Sequence, residues 1–513
     1  MKNKKVLIII LIICTILICG VIYFTLLRNQ QEVQPAIKRD NIVLENKVDA
    51  VSYLMDLNLD TTRNSLSEDV TIEIKNNTDK EVSEICIRDM TPAILKYCKE
   101  NYAPENDKKT TKINAITMIE SNRALQTRDK QNHSAIYVSL ENEDVLKPGD
   151  TKHIKISMQT DIPDREDRFG YVKKKEGTLY MLSFCYPYLA DNKNGEWITD
   201  PYFDDGESRS YDLANYEVTF TAPESYKVMA TGKSTTSQEK TTIKAESVRD
   251  FAIVACDFMD VDTFETEGIM VNNYYLKGKK TDEYRKLTRL IAEDSLQLFT
   301  EKVGKYAYDE LDIAPCIFGY SYGGMEFPGL VMTNATAFYE GKNIDVISLA
   351  EGLSHEIGHQ WFYAAVGNRE YAEGWIDESF TTLLERDIYG LTPSASDECV
   401  RKMDSMAVSI ERKKKEREEL IATAREDYKN IKLNVAPNEY SEEQSYGDAE
   451  YEGGYMFLQE VRKQMQDEKF SVFLKDYYKT FYMKTVTTKD VLEFIKKYDN
   501  SEKIQEIIKF YFK

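Results

Sequence analysis

The chain has 513 residues, with 87 acidic and 67 basic side chains and a net charge of −20. This balance excludes phosphate-backbone binding, which needs basic patches, so no nucleic-acid partner is expected. The length suits two or three domains, each able to bury a core.

At the N-terminus, Lys2, Lys4 and Lys5 precede an uncharged apolar run from Val6 to Leu27. As a helix rising 1.5 Å per residue the run reaches roughly 33 Å, enough to cross a bilayer. The lysines place the N-terminus in the cytoplasm. A cleaved secretion signal is the alternative, but the run exceeds a typical signal core and no small-x-small cleavage site follows it. The expected organisation is a cytoplasmic tail (1–5), a transmembrane anchor (6–27) and a polar tether (28–45) carrying Pro35. The body then lies outside the cytoplasm, on a single-pass cell-membrane anchor.

Beyond the run stand Cys86, Cys98, Cys185, Cys256, Cys316 and Cys399, scattered and without a C-x-x-C pair. A body of this size folds without disulfides, and none of these thiols is expected to bind metal. Whether Cys86 and Cys98 pair is left open by spacing alone.

From residue 46 the pattern is that of strands. Val70, Ile72 and Ile74 alternate with polar residues, Asn76 to Asp79 make a turn, and Val82 to Arg88 extends again. Ile154, Ile156 and Met158 alternate after the Pro148-Gly149-Asp150 turn. Val218 and Phe220 alternate before Pro223, and Phe251 to Cys256 is a short β-rich run. Frequent turns without a long helix predict an antiparallel β-domain over 46–265.

From Thr281 the character changes. Leu287, Leu290, Ile291, Leu296 and Phe299 suit an amphipathic helix, and Leu311 to Phe318 and Leu330 to Met332 suit strands. Between them lies Gly323-Gly324-Met325-Glu326-Phe327-Pro328-Gly329. A glycine-rich entry into a strand leaves backbone groups accessible to an extended peptide, and Glu326 offers a carboxylate at the end of that track.

The next stretch is His355-Glu356-Ile357-Gly358-His359, followed by Glu378. Residues i and i+4 of a helix lie one above the other, so both imidazoles can face one point. Two neutral imidazoles and a carboxylate suit zinc, with one position left for water, and Glu356 stands where it can take that water's proton. Leu349, Leu353, Ile357 and Trp361 form the apolar seam of this helix, with Gly367 as its expected stop. A second helix carries Phe380, Leu383, Leu384 and Ile388 and ends at Gly390. Its antiparallel return would bring Glu378 back to the histidines. Gly358 costs the first helix about 0.5–1 kcal/mol against alanine, which suggests that the second helix packs close there.

Residues 396–432 are strongly charged and read as a solvated helix with i, i+4 pairs. Tyr446 to Gly454 opens a helix with Met456, Leu458 and Val461, and Val491–Tyr498 and Ile504–Phe512 are further helical segments.

His355, Glu356, His359 and Glu378 resemble the H-E-x-x-H-x18-E motif of the M1 aminopeptidases, a gluzincin metallopeptidase family. Trp375-Ile376-Asp377-Glu378-Ser379-Phe380 is similar to that family's W-x-N-E-G-F block. The resemblance implies one zinc per chain on His355, His359 and Glu378, Glu356 as general base, and Glu385 as a partner of the zinc ligands on the same helical face. Gly323, Gly324, Met325 and Glu326 resemble the G-x-M-E-N motif, with Phe327 in place of Asn; there the glutamate holds the substrate's free amine and the backbone lines the peptide. Tyr451-Glu452-Gly453-Gly454 resembles the Y-x-K-G block, with Gly453 in place of Lys, and implies that Tyr451 stabilises the oxyanion. Asn215 to Gly232 is similar to the end of the family's saddle-shaped β-domain.

The expected architecture is α+β: an antiparallel β-domain over 46–265, then a thermolysin-like zinc peptidase domain over 266–513, mixed α/β and helical. The expected function is a membrane-anchored aminopeptidase acting on peptides with a free N-terminus. The rivals are a zinc endopeptidase of the same fold and a non-catalytic peptide-binding scaffold.

Overall fold

Alternating side chains become an alternating burial pattern. In β2 (Ser65–Asn76), Val70, Ile72 and Ile74 are fully buried while Thr71, Glu73 and Lys75 between them are half-buried. A computed structural model describes residues 47–513 except 102–107, 130–133, 194, 205, 207–210, 320–322, 343–345, 389–430, 441–445 and 513. These fall within one compact unit, Ile42–Lys513. The expected tail, anchor and tether (1–45) and most of the charged segment 396–432 lie outside the described residues. No helix among the described residues is long and apolar enough to cross a membrane.

β1 (Val48–Asp60) pairs with β2 antiparallel, placing Met55 opposite Val70. With β3 (Thr111–Met118), β4 (Arg123–Ala124), β5 (Thr151–Asp161), β6 (Ala214–Thr221), β7 (Lys233–Ser237) and β8 (Lys240–Val248) they form an eight-stranded sheet, ordered β7-β8-β6-β1-β2-β5-β3-β4. The β1–β6 pair is parallel, which departs from the expected all-antiparallel pairing. A second departure is α1 (Thr91–Asn101). The Asp89 carboxylate accepts from the Thr91 N–H at 3.0 Å, Pro92 sits in the first turn, and Ile94, Leu95 and Cys98 bury one face. That local start signal is stronger than the strand pattern around it.

Residues 169–182, 227–230 and 253–256 make a four-stranded sheet that separates two hydrophobic cores. Leu179, Met181, Val254 and Cys256 face one core, while Tyr180, Leu182, Ile253 and Ala255 face the other. Burial on both sides explains the unbroken apolar run at 251–256. Cys86 and Cys98 are buried free thiols in different clusters.

The next sheet has five strands, ordered β9-β10-β11-β13-β12. They are β9 (Met259–Thr266), β10 (Ile269–Leu276), β11 (Glu310–Cys316), β12 (Gly324–Met325) and β13 (Leu330–Asn334). Residue 265, the expected domain division, falls inside the β9–β10 hairpin. β10, β11 and β13 run parallel, and the two-residue β12 joins antiparallel at the edge. α2 (Thr281–Lys302) links β10 to β11 and buries Leu287, Ile291, Leu296 and Phe299. α3 (Val346–Gly358) packs on α2 and β13, and α4 (Trp375–Leu383) packs on α3. A short parallel pair, Val366–Gly367 with Lys484–Thr485, joins four further helices: α5 (Gly454–Met465), α6 (Asp467–Phe481), α7 (Thr488–Tyr498) and α8 (Glu502–Tyr511).

Candidate metal centre and cleft

Leu349, Leu353 and Ile357 bury the apolar seam of α3, which turns His355 and Glu356 towards a cleft. The helix ends at Gly358, not at Gly367; His359 follows in a turn whose N–H still bonds His355 O at 3.2 Å. Trp361 is buried beyond the helix end. Gly367 lies in a short strand, where a Cβ would meet the Arg249 guanidinium at 2.1 Å. Gly358 marks a helix crossing, as its cost suggests: a Cβ there would come within 3.0 Å of Thr381 Cγ2 on α4. This close approach brings Glu378 back over the histidines.

His355 Nε2 lies 3.1 Å from His359 Nε2 and 3.1 Å from Glu378 Oε2, and His359 Nε2 lies 3.4 Å from that same oxygen. The outer nitrogens face acceptors. His359 Nδ1 is 3.0 Å from Phe362 O, and His355 Nδ1 is 3.2 Å from Glu385 Oε2. These acceptors assign the N–H to each Nδ1, so both Nε2 lone pairs converge with a carboxylate oxygen. Three lone pairs in contact require a shared positive charge. Zinc bonds to nitrogen and oxygen of about 2.0–2.1 Å in a tetrahedron set donors roughly 3.3 Å apart, so the residues fit this metal.

Protein charges alone show the same demand. Burial opposes an imidazolium at His359, but the Glu378 carboxylate outweighs it and lifts the group to about 9. His355 is raised well above the ordinary histidine range by Glu378 and Glu385, again against burial. Glu378 is held far below the usual carboxylate range by both imidazoles, despite its burial. Burial lifts Glu356 to about 8, with Glu326 and Glu378 adding to the rise and the imidazoles opposing it. A divalent cation would take the place of these protons.

The cleft is about 360 Å³ and is lined by Gly323, Gly324, Met325 and Glu326 as well as the triad and Tyr451. Gly324 faces Glu356 so closely that a Cβ would stand 2.4 Å from its Cγ. Ligand atoms of Glu326, Glu356 and His359 lie within 4.8 Å of one another. Glu385 and Tyr451 both stand on π-helical turns, 384–388 and 448–453. The Tyr451 hydroxyl donates to Glu378 Oε1 at 2.6 Å, and its ring stacks on His355 at 5.6 Å. Gly453, where the resembling block has Lys, is tightly packed: a Cβ would be 2.2 Å from Ile431 Cδ1.

Sequence reading missed several residues. The Gln360 amide donates to Glu326 O and Phe327 O at 3.3 and 3.1 Å, and its oxygen accepts from Gly329 N at 2.8 Å. It thereby fastens the glycine-rich segment to the zinc motif, with Phe327 buried in the core. Thr381 reaches His359 Nδ1 at 3.2 Å. Arg168, from the β-rich half, lies 3.1 Å from Gly206 O and 3.8 Å from Met325 Sδ along the cleft. No motif marks them, although Gln360 stands beside His359 in sequence.

Residues 289–511 match the peptidase family M1 domain. Aminopeptidase B of Rattus norvegicus is 26% identical over 210 residues, 40% of this chain and 30% of that protein. Leucine aminopeptidase 2 of Yarrowia lipolytica is 24% identical over 188 residues, 36% of this chain and 27% of that protein. The matched stretch thus spans about 30% of the length of the aminopeptidase B relative. The crystal structure of an M1 zinc metallopeptidase from Deinococcus radiodurans shares the fold, with a TM-score of 0.58 at 17% identity over 91% of this chain and 94% of that one. A variant of that protein has been solved bound to a Tyr-Ser-Ala substrate. Yeast LTA4 hydrolase in complex with Bestatin gives a TM-score of 0.62 at 14% identity, covering 94% of this chain and 70% of that one. Residues 289–511 thus match an M1 peptidase domain, and the described residues share the fold of M1 zinc metallopeptidases.

Proposed function

We propose that this protein is a zinc aminopeptidase that releases N-terminal residues from peptides with a free amine. One zinc per chain would be held by His355, His359 and Glu378, supplying Lewis acidity at the scissile carbonyl and acidity to the attacking water. The observation that carries the exopeptidase reading is the Glu326 carboxylate, 8% exposed, beside Glu356 and His359 at the edge of the triad. A carboxylate there pairs with a substrate ammonium and brings the first peptide bond to the metal. The edge strand β12 offers its backbone to the extended substrate. Glu356 takes the proton of the attacking water and delivers it to the leaving amine. Tyr451 turns its hydroxyl from Glu378 to the developing oxyanion. Glu385 fixes the ring of His355 through Nδ1.

The apolar run at 6–27 supports a further part of the proposal: a single-pass anchor with the catalytic body outside the cytoplasm.

The test compares a peptide having a free amine with its N-acetylated copy, with and without a zinc chelator. Cleavage of the free peptide alone, lost on chelation, is expected. Equal rates on both peptides overturn the exopeptidase reading in favour of an endopeptidase.

A further inference from the structure

Gly352, His355, Glu356 and His359 stand at i, i+3, i+4 and i+7 and line one side of the cleft. Glu326 marks the His359 end of this stripe, since its carboxylate lies within 4.8 Å of ligand atoms of Glu356 and His359. Gly352 is at the other end, roughly 10 Å away along the helix at 1.5 Å per residue. A substrate with its amine at Glu326 and its first peptide bond at the triad carries its second residue towards Gly352, because an extended chain advances about 3.4 Å per residue.

Two observations mark the space there as a receiving pocket. Among the described residues, nothing lies within 4 Å of a Cβ built on Gly352, whereas one on Gly324 or Gly358, around the same site, meets a neighbour at 3.0 Å or less. Gly352 also stands inside α3, where glycine weakens the helix and no packing neighbour among the described residues requires it. Its neighbour Glu351, half-buried, lines the same cleft one turn before His355.

We propose that Gly352 and Glu351 form the pocket for the residue after the cleaved bond, and that they select peptides whose second residue is long and cationic, lysine or arginine. Gly352 supplies the room and Glu351 the charge. The inference rests on the aminopeptidase reading and names the substrate class of that site.

The experiment measures kcat/KM of the full chain on Ala-Arg-Ala, Ala-norleucine-Ala, Ala-Ala-Ala and Ala-Glu-Ala. The unsubstituted protein is expected to prefer arginine over glutamate by at least tenfold. Gly352→Leu should lower both the arginine-to-alanine and norleucine-to-alanine ratios at least tenfold, and Gly352→Ala should do so partially. Glu351→Gln should lower the arginine-to-norleucine ratio about tenfold without moving norleucine-to-alanine. Ratios unchanged in all three variants overturn the pocket. If the unsubstituted protein cleaves none of the four peptides, the aminopeptidase reading falls and the pocket with it.

Discussion

Arg386 and Glu452 tie together the two π-helical turns that flank the triad. Arg386 Nη1 donates to Glu452 Oε2 at 2.7 Å, and Nη2 bonds the other carboxylate oxygen. The first turn carries Glu385, the partner of His355, and the second carries Tyr451. The guanidinium also lies over the Tyr455 ring at 5.2 Å. A planar fork between two turns sets their separation, a role that an ammonium fills less well. Arg386→Ala should lower kcat/KM about 10–100-fold and speed zinc loss to a chelator, with Arg386→Lys in between. Chelator kinetics that do not change in Arg386→Ala would show that the tie does not position the centre.

The proposed general base, Glu356, and the proposed metal ligands should separate cleanly. Glu356 faces Gly324 and Glu326 and is not among the three donors of the triad. Glu356→Gln is therefore expected to lose about 10³-fold or more in turnover while keeping its zinc. His359→Ala and Glu378→Gln should lose zinc and activity together. Metal analysis of the purified variants, read beside turnover, decides the assignment. A fully active Glu356→Gln protein would remove the hydrolytic mechanism.

Gly324 gives a test of placement that barely touches stability. A methyl group there would stand 2.4 Å from Glu356 Cγ and 2.6 Å from its Cδ. The carboxylate must move, and a displacement near 1 Å costs roughly 100-fold in rate. Gly324 is half-buried on the two-residue edge strand, so unfolding should change little. We expect Gly324→Ala to lower kcat about 100-fold at a melting temperature within a few degrees of the parent. Parental kcat would show that Glu356 does not act from its observed position.

Asp312 predicts a pH-dependent term in stability. Its carboxyl is buried between the β-rich and peptidase sheets, accepting from Asn272 Nδ2 at 2.9 Å and from Ala230 N at 3.3 Å. Burial, with some help from Glu310, raises it to about 8. An acid whose folded value lies above its unfolded value stabilises fully below the unfolded value, near 4. That contribution is lost as pH rises through 8. At about 1.4 kcal/mol per pH unit the term amounts to several kcal/mol. Urea denaturation between pH 5 and 8 should therefore show a shallower decline in Asp312→Asn than in the parent. Parallel slopes would show that Asp312 is ionised in the fold.

The zinc motif was legible because its information is local. A helix repeats every 3.6 residues, so His355 and His359 share a face wherever that helix packs. Alternation likewise revealed β2, β5 and β6, since each has one face in a core. The helix at 91–101 is hard to read from the sequence because its start signals, Asp89 and Pro92, are brief. The end of α3 is not legible locally: Gly367 resembles a stop, while the chain already leaves the helix at Gly358, which places His359 Nδ1 against Phe362 O.

By itself, the sequence determined the shared face of His355 and His359, the Glu356 carboxylate beside them and the two core-forming periodicities, all properties of neighbours along one element. Only the tertiary structure decided which lone pairs converge, how closely Glu326 and Gly324 approach Glu356, and that Gln360 and Arg386 hold the surrounding segments in place. Those relationships join residues tens of positions apart. They depend on how helices and strands pack, and packing is a property of the whole core that no local pattern encodes.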